Sequence, residues 1–342
     1  MDFVQLSRSG LKVSPICLGT MMFGSAADEA ASRRIIDKAR DFGINFIDTA
    51  DVYNAGVSEE IIGRAIASDR NRWIVASKVG SPPGGGAGES GLLARSRILH
   101  SAQESAKRLQ TDRIDIYYLH KEDPSTPLAE TIGAIAELLR SGLIRSFGVS
   151  NYRGWRVAEI CRLCDELSIE RPIVSQPYYN ALNRMPEVEH LPACSYYGLG
   201  VFPYSPIARG VLTGKYLAGE TPPADSRAAR NDKRILQTEW RQESLEIAQI
   251  IKRHAQSRGI TATQFAVSWV LDNRLITGVV AGPRIETQLD DYIHALDYRF
   301  TSEDEDLVDK LVTAGHPSTP RYNDPAYPIE GRVPRSSGRA AG

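Results

Sequence analysis

Four residue types suited to moving a proton lie just behind short apolar stretches of the chain. Asp48 ends the stretch at residues 44–47, Tyr53 follows five residues later, and Lys78 and His120 come after two later apolar runs. An isolated tyrosine has a pKa of about 10, too high for acid–base work near neutral pH. A nearby lysine ammonium would lower that pKa, an aspartate would keep the lysine charged, and a histidine would hydrogen-bond a substrate oxygen. The set therefore predicts proton transfer to or from an oxygen atom.

The elements that must position these residues follow a regular alternation. Short runs rich in β-branched residues predict strands, and longer segments with an apolar residue about every three to four positions predict amphipathic helices. The predicted strands cover residues 13–18, 45–47, 73–77, 114–119, 144–149, 173–175, 200–203 and 278–281. Helices are predicted between most of them, for example at residues 30–41, 94–110, 128–140 and 153–167. This order predicts an α/β fold with a parallel sheet.

Eight strands in a chain of 342 residues fit a single-domain (β/α)8 TIM barrel. We expect an N-terminal β-hairpin, and extra loops or helices in the long interval before the eighth strand. Residues 1–315 are predicted to form the barrel and residues 316–342, rich in Pro, Gly, Ser and Arg, a C-terminal surface tail. Catalytic groups of such barrels lie at the C-terminal strand ends. Polar residues follow seven strands, which predicts one shared pocket: Asp48, Lys78, His120, Ser150 with Asn151, Gln176, Tyr204, and Gly282 with Arg284.

The overall composition argues against several kinds of partner. The formal net charge is -1, whereas binding to nucleic acid or an anionic membrane normally needs a basic surface. No apolar segment follows a basic start, so no signal peptide is expected, and the longest charge-free stretch contains prolines unsuited to a membrane helix. Four cysteines are too few for a disulfide scaffold. We expect a cytoplasmic protein with a small-molecule substrate and neither nucleic-acid nor membrane partner; the oligomeric state stays open.

Six motifs occur in order along the chain: GINFIDTADVYNAGVSEEIIG, VASKVG, YYLHKEDPSTPLAETIGAI, GVSNY, QPYYN and YSPIARGVLTGKY. Together they closely resemble the aldo-keto reductase superfamily, from residue 18 to about residue 296. The long loop after the last motif is similar to the branch that includes potassium-channel β subunits and bacterial aldo/keto reductases. The resemblance implies a (β/α)8 barrel that binds a nicotinamide cofactor without a Rossmann domain. It also implies interconversion of an aldehyde or ketone with its alcohol.

The resemblance implies a role for each matching catalytic residue. Tyr53 would be the general acid in carbonyl reduction, Asp48 and Lys78 would tune it, and His120 would orient the carbonyl. The bound cofactor would usually be NADPH, with NADH as the alternative. An arginine is permanently charged and forms paired hydrogen bonds, so Arg284 suits a ribose 2′-phosphate and favours NADPH.

The resemblance also implies a set of cofactor contacts. Ser150, Asn151 and Gln176 would hold the nicotinamide carboxamide, and Tyr204 would stack on the ring. The loop at residues 205–215 would wrap the pyrophosphate, and residues 282–291 would hold the adenosine end. Tyr292 stands where many relatives have an asparagine that contacts adenine. The expected contacts are Gly19, Thr20, Met21, Asp48, Ser150, Asn151, Gln176, Tyr204, Ser205, Ile207, Arg209, Gly210, Leu212, Gly214, Lys215, Gly282, Arg284, Gln288 and Asp291.

Other interpretations of single motifs are weaker. Gly86, Gly88 and Gly91 spell G-x-G-x-x-G, but no strand precedes them directly and the next strand ends on a histidine, so a Rossmann site is not expected. Cys161 and Cys164 are interpreted as packed thiols, because no second pair completes a zinc site. No metal site is expected, and a glycosidase would need a second carboxylate facing the first.

Two questions stay open at the level of sequence. The alternative to an enzyme is a regulatory subunit that binds NADPH and turns over weakly. The substrate is not defined either, because specificity in such barrels lies in loops. The candidate loops are residues 21–23, 84–91 and 218–234, together with the C-terminal tail.

Overall fold

The computed structural model of the chain describes residues 1–82, 90–224, 226–327 and 329. Two short antiparallel strands, β1 (Val4–Gln5) and β2 (Lys12–Val13), form an N-terminal hairpin. Eight parallel strands follow: β3 (Ile16–Gly19), β4 (Phe46–Asp48), β5 (Ile74–Val79), β6 (Ile114–Leu119), β7 (Ile144–Ser150), β8 (Val174–Gln176), β9 (Gly200–Val201) and β10 (Val279–Ala281).

The eight parallel strands lie in the order β10-β3-β4-β5-β6-β7-β8-β9. The two ends of this sheet meet, because the backbone N–H of Val280 donates to the carbonyl of Pro203 at 3.0 Å and the N–H of Thr277 donates to that of Val201 at 2.9 Å. The sheet therefore closes into a barrel. The predicted (β/α)8 fold and its N-terminal hairpin are confirmed.

Helices cover the outside of the barrel between most consecutive strands. They are α1 (Glu29–Asp41), α2 (Val57–Ile66), α3 (Arg95–Arg108), α4 (Leu128–Ser141), α5 (Gly154–Glu166), α6 (His190–Tyr197), α7 (Lys233–Thr238), α8 (Gln242–Ser257), α9 (Ala262–Asp272), α10 (Glu286–His294) and α11 (Ser302–Leu311). Helices α7, α8 and α9 fill the predicted long interval before the last strand. No helix within the described ranges is both long and apolar enough to cross a membrane.

Strand periodicity explains which side chains enter the barrel. Successive side chains point to opposite faces of a strand. Phe46 therefore packs in the interior apolar cluster, together with Ala76 and Ile116 of the next two strands, whereas Ile47 packs outward against the helices. Asp48 comes two residues after Phe46 and so belongs to the inward row. The hairpin contributes Leu6 to the same interior cluster, so it closes the N-terminal end of the barrel.

The predicted element boundaries differ from the structure mainly at one place. Residues 13–18 were predicted as one strand, but the chain divides there into β2 and β3 at Ser14 and Pro15. Proline has no backbone N–H to donate to a sheet, which explains the break. The division into residues 1–315 and 316–342 remains a prediction. His316 accepts a hydrogen bond at its carbonyl from the N–H of Arg184 at 3.0 Å.

Candidate active site

A cavity of about 610 Å³ opens at the C-terminal end of the barrel strands. It brings together residues from every strand end that the sequence analysis selected, except for the Lys78 side chain, which lies behind Asp48. Predicted site residues that line it are Gly19, Thr20, Met21, Asp48, Tyr53, His120, Ser150, Asn151, Gln176, Tyr204, Ser205, Ile207, Arg209, Gly210, Lys215, Gly282, Arg284, Gln288 and Asp291. Leu212 and Gly214 do not line it; Leu212 is fully buried in the outer apolar core.

A fully buried ammonium, that of Lys78, lies beneath the cavity floor and contacts two of its lining residues, Asp48 and Tyr53. All three hydrogens of the Lys78 Nζ have acceptors: Asp48 Oδ2 at 2.5 Å, the carbonyl of Thr49 at 2.8 Å and Tyr53 Oη at 3.2 Å. The other oxygen of Asp48 accepts a hydrogen bond from Gln176 Nε2 at 2.9 Å. The Lys78 and Asp48 side chains are 0% and 2% exposed. Their geometry is therefore fixed by hydrogen bonds on every side.

A left-handed turn places Tyr53 over this pair. Asn54 and Ala55 follow it with φ angles of 49° and 55°, a conformation that asparagine tolerates better than most residues. The Asn54 side chain donates a hydrogen bond to the carbonyl of Met21 at 3.3 Å, which ties the turn to the neighbouring loop. The Tyr53 hydroxyl thus reaches Lys78 while the ring faces the cavity.

The electrostatics of Tyr53 differ from the expectation from sequence. Burial raises the pKa of Tyr53 above its ordinary value, and this effect outweighs the opposing influence of the Lys78 ammonium. Burial also disfavours the charged form of Lys78, but Asp48 and Tyr53 raise its pKa above the ordinary value. At neutral pH the site therefore holds a protonated phenol beside a charged lysine. Lys78 acts on the pKa of Tyr53 in the predicted direction, but burial, which could not be read from the sequence, outweighs it.

His120 faces Tyr53 across the cavity floor as a neutral imidazole. The two rings are 6.0 Å apart and nearly perpendicular. Burial and then the nearby Lys78 hold the pKa of His120 well below its usual range. Its Nδ1 atom is buried without a hydrogen-bond partner in the described part of the chain. A neutral imidazole in this position is able to donate one N–H to a ligand oxygen.

The wall beside His120 carries amide and aromatic groups. Asn151 Nδ2 donates to the His120 carbonyl at 2.9 Å, and its Oδ1 accepts from the Tyr204 hydroxyl at 2.8 Å. Ser150 donates its hydroxyl hydrogen to the carbonyl of Gln176 at 2.8 Å. Asn151 has a φ angle of 61°, an unusual conformation for a non-glycine residue. This wall offers hydrogen-bonding groups and a flat ring to a planar, amide-bearing ligand.

The loop after Tyr204 curves along the cavity by means of left-handed residues. Ser205, Ala208 and Arg209 have φ angles of 56°, 49° and 52°, and Gly210 has 97°. Such conformations cost free energy in non-glycine residues and concentrate at functional sites. A side chain at Gly210 would also come within 3.3 Å of Lys215 Nζ. The loop therefore brings backbone, rather than side chains, close to the cavity at Gly210.

Cations without acidic partners lie at the other end of the cavity. Within the described residues, neither Lys215 nor Arg284 has a carboxylate at salt-bridge distance. Partial burial and then the neighbouring Arg284, Arg227 and Arg230 lower the pKa of Lys215. The Arg284 backbone is held by its N–H donating to Gln288 Oε1 at 2.8 Å. Uncompensated positive charge at this end suits a phosphate group.

These features fit a nicotinamide dinucleotide. One end of the cavity presents amides and a tyrosine ring, the other presents unpaired cations, and a loop of exposed backbone joins them. Among the described residues no group of His, Cys, Asp and Glu is arranged to hold a metal ion. Cys161 and Cys164 are free, buried thiols, in keeping with their interpretation. Of the G-x-G-x-x-G pattern, Gly86 and Gly88 lie outside the described residues, and so does most of the predicted loop at residues 84–91.

Sequence reasoning missed several residues of the cavity wall. Arg227 and Arg234 belong to the loop at residues 218–234, and Tyr327 belongs to the C-terminal tail. Both segments were predicted as candidates for substrate specificity, but no residue of either was predicted to line the cavity. No strand precedes any of these positions, so the rule of polar strand ends could not find them. The other lining residues that were not predicted at residue level are Met22, Thr213, Thr261, Ala262, Thr263, Val280 and Tyr292.

Comparison with known proteins agrees with this geometry. Residues 15–313 match the aldo/keto reductase family. A probable voltage-gated potassium channel subunit beta of Oryza sativa subsp. japonica is 34% identical over 94% of this chain and 100% of its own length. An uncharacterized oxidoreductase of Bacillus subtilis, YrpG, is 35% identical over 89% of this chain and 93% of its own. The L-glyceraldehyde 3-phosphate reductase of Escherichia coli strain K12 is 32% identical over 92% and 93%, respectively.

The matched region spans all eight barrel strands and every strand end that contributes to the cavity. The chain therefore belongs to the aldo/keto reductase family, and it is an oxidoreductase that uses a nicotinamide cofactor on carbonyl or alcohol groups.

Proposed function

We propose that the protein is an NADPH-dependent carbonyl reductase that interconverts an aldehyde or ketone with its alcohol. The observation that carries this proposal is the buried arrangement of Asp48, Lys78, Tyr53 and His120 on the floor of the cavity. A protonated phenol and a neutral imidazole face the same space, which is what a developing alkoxide needs. Preorganised donors at such a site lower the barrier because they need no reorganisation as charge develops.

Tyr53 is the proposed proton donor. A bound nicotinamide cofactor would supply the hydride for the carbonyl carbon. Tyr53 Oη then gives its proton to the carbonyl oxygen, and the Lys78 ammonium, 3.2 Å away, stabilises the phenolate that remains. Asp48 keeps Lys78 charged and in place. His120 donates a hydrogen bond to the same oxygen from the other side and so orients the carbonyl.

The proposed cofactor contacts follow the two ends of the cavity. Ser150, Asn151 and Gln176 would hold the carboxamide, and Tyr204 would pack on the nicotinamide ring. The loop at residues 205–215 holds the pyrophosphate. Arg284, a cation without a carboxylate partner in the described structure, binds the ribose 2′-phosphate. This residue supports NADPH over NADH.

Replacement of Tyr53 by Phe tests the proposal directly. Loss of a general acid typically lowers a rate by about 100- to 10,000-fold, so kcat for an aromatic aldehyde should fall within that range in Tyr53→Phe. NADPH affinity, measured by fluorescence titration, should stay within about threefold, because the hydroxyl acts on the substrate oxygen. An equal loss of turnover and of NADPH affinity would contradict the assigned role.

A matched control is available in Tyr117→Phe. Tyr117 is fully buried on the outer side of the same barrel, and its hydroxyl has no hydrogen-bond partner in the described part of the chain. The change removes the same atom from a site away from the cavity. Turnover of Tyr117→Phe should therefore remain close to that of the wild type.

A second candidate function is a regulatory subunit that binds NADPH and turns over weakly. It is favoured by one observation, the likeness over nearly the whole chain to a protein named as a probable potassium channel β subunit. The two candidates differ in turnover. Tight NADPH binding combined with no measurable aldehyde reduction by the wild type would favour the regulatory function, whereas turnover that depends on Tyr53 would favour the reductase.

A further inference from the structure

Two aromatic rings lie against the buried Lys78 ammonium. The Lys78 Nζ is 4.8 Å from the centre of the Tyr53 ring and 5.9 Å from the centre of the Tyr118 ring, and it lies over both. A cation within about 6 Å of a ring face is attracted to it, more strongly where water is excluded. The side chains of Lys78 and Tyr118 are both fully buried. Tyr118 is therefore next to the charge on which the proposed proton transfer depends.

The register of the barrel strands places Tyr118 beside Lys78. Tyr118 on β6 is paired in register with Lys78 on β5 and with Gly148 on β7, so the three residues form one row across the sheet. Side chains two residues apart in a strand point to the same face, so Tyr118 belongs to the row that continues to His120. It packs in the interior apolar cluster, whereas the preceding Tyr117 packs in the outer one. The row thus places Tyr118 in the layer directly below the cavity floor.

Gly148 makes room for the Tyr118 ring. A Cβ atom at Gly148 would lie 2.7 Å from Tyr118 Cε1 and 2.8 Å from Tyr118 Cδ1, closer than such atoms approach in folded proteins. It would also lie 2.7 Å from Val174 Cγ1. Any larger residue at position 148 would therefore displace the ring. The absence of a side chain on β7 lets the ring lie flat in the row and reach the ammonium.

Tyr118 is not a second proton donor. Burial, and then Asp48 and Cys17, raise the pKa of Tyr118 well above its ordinary value, so the hydroxyl stays protonated. Tyr53 lines the cavity, whereas Tyr118 lies beneath it. The part of Tyr118 that is placed to act on the site is the ring, which faces the ammonium.

We propose that Tyr118 is a positioning residue whose ring keeps the Lys78 ammonium charged and beside Tyr53 Oη during proton transfer. This inference rests on the proposed reductase function and adds to it a residue outside the cavity. Burial disfavours the charge on Lys78, and Asp48 is the group that does most to restore it. A second carboxylate would compete with the Tyr53 phenolate for the ammonium, whereas a ring face stabilises the ammonium without adding a negative charge. The ring also excludes water, which would weaken the attraction between Lys78 and the phenolate.

The test compares Tyr118→Leu, which removes the ring, with Tyr118→Phe, which keeps it. The readout is the pH profile of kcat for an aromatic aldehyde at saturating NADPH. The alkaline fall of kcat follows the first proton lost from the coupled pair of Tyr53 and Lys78. Without the ring the ammonium loses its proton more readily, so this fall should move to lower pH by about 0.5 to 1.5 units in Tyr118→Leu. In Tyr118→Phe it should stay within about 0.3 units of the wild type.

Turnover at neutral pH gives a second readout. Leucine leaves space into which Nζ can move away from Tyr53 Oη and into which water can enter, so kcat of Tyr118→Leu at pH 7 should fall roughly 3- to 30-fold. The KM for the aldehyde and the Kd for NADPH should stay within about threefold, because the ring acts on charge that develops in the transition state. Tyr118→Phe should keep most of the wild-type kcat.

Tyr117→Leu is the matched control for lost packing. Tyr117 is the neighbouring residue of the same strand and is equally buried, but its ring packs outside the barrel. This variant should lose stability in urea unfolding, as Tyr118→Leu does, and should keep the wild-type pH profile. Tyr118→Met, which fills the space with a flexible chain and no ring, replaces Tyr118→Leu if circular dichroism shows that the leucine variant is unfolded.

Three results would overturn the inference and leave the proposed function standing. The first is a pH profile and a kcat of Tyr118→Leu equal to those of the wild type. The second is an equal change in Tyr118→Phe and Tyr118→Leu, which would assign the effect to the hydroxyl. The third is an equal change in Tyr117→Leu, which would assign it to packing. Absence of any NADPH-dependent reduction by the wild type would contradict the reductase function, and this inference with it.

Discussion

The buried ion pair under the cavity provides the sharpest test of the site geometry. Lys78→Met keeps the length of the side chain and removes its charge, leaving Asp48 Oδ2, the Thr49 carbonyl and Tyr53 Oη without the donor that each now uses. Breaking a buried pair by removing one partner typically costs about 3–5 kcal/mol. A domain is stable by about 5–15 kcal/mol, so the loss should be large. We expect Lys78→Met and Asp48→Asn each to lower the free energy of unfolding by this amount.

The double variant measures the interaction energy of Asp48 with Lys78 apart from the other contacts of the two side chains. When Asp48→Asn and Lys78→Met are combined in one protein, no uncompensated charge is left buried, because both charged groups have been removed. The free energy lost should therefore be smaller than the sum of the single losses by at least about 2 kcal/mol. The free energy of unfolding is measured for the wild type, the two single variants and the double variant. Each is unfolded with urea and followed by circular dichroism in the absence of a nicotinamide cofactor. Additivity of the two single losses within about 0.5 kcal/mol would refute the reasoning, because independent sites behave in that way.

An exposed ion pair serves as the control for this cycle. Arg95 and Glu137 are as close as 2.6 Å, but their side chains are 55% and 41% exposed. Solvent screens such a pair, so Glu137→Gln should leave the unfolding midpoint nearly unchanged. Turnover of the double variant distinguishes the structural role of the ion pair from its proposed catalytic role. The double variant should recover stability without recovering aldehyde reduction, since the proposed mechanism needs the Lys78 charge.

Two further predictions concern protonation. Glu239 is fully buried, neither carboxylate oxygen has a partner in the described part of the chain, and burial raises its pKa to about 8. Because the folded-state pKa is raised, the stability that protonated Glu239 contributes at low pH is lost as the pH rises from the unfolded-state pKa to the folded-state pKa. Wild-type stability should therefore fall by about 4 kcal/mol between about pH 4.5 and 8. Glu239→Gln should lack this part of the pH dependence in thermal or urea unfolding. If the free energy of unfolding of Glu239→Gln varied with pH as steeply as that of the wild type, the raised pKa of Glu239 would be contradicted. For activity, kcat at saturating NADPH should vary little between about pH 6 and 9 and fall at higher pH as Tyr53 loses its proton. An inflection near pH 6.5 that disappears in His120→Gln would show that the pKa of His120 is not lowered.

The barrel was predictable from sequence because its signals are local. The limits of the buried strand Ile114–Leu119 were predicted correctly, because five of its six residues are apolar or aromatic and polar residues bound it on both sides. Because the strands of a (β/α)8 barrel are parallel, the residues that follow them meet at one end of the barrel even when they are far apart in the sequence. The shared pocket could therefore be predicted from the polar residues at the strand ends. The prediction of one strand at residues 13–18 was wrong, because the chain breaks at Ser14 and Pro15 between the hairpin and the first barrel strand.

The rest of the site depends on contacts that no local pattern encodes. Arg227, Arg234 and Tyr327 reach the cavity from segments without strand periodicity, and their positions depend on how the long loop and the C-terminal segment pack together. The pKa of Tyr53 depends on burial by residues far apart in the chain. The motifs predict that Lys78 lies near Tyr53 in the fold, but they do not indicate how deeply the fold buries the two side chains.

The opposing effects on Tyr53 have a consistent chemical meaning. Burial keeps the phenol protonated at neutral pH, so the group is in the form that carbonyl reduction requires before the reaction begins. The Lys78 ammonium favours the phenolate, which exists only after the proton has moved. Burial thus acts on the starting state, and Lys78 acts on the charge that develops during transfer, which is where stabilisation accelerates a reaction. The buried phenol is thus in the protonated form that the proposed carbonyl reduction requires, and Lys78 is placed to stabilise the charge that the proposed proton transfer would leave on it.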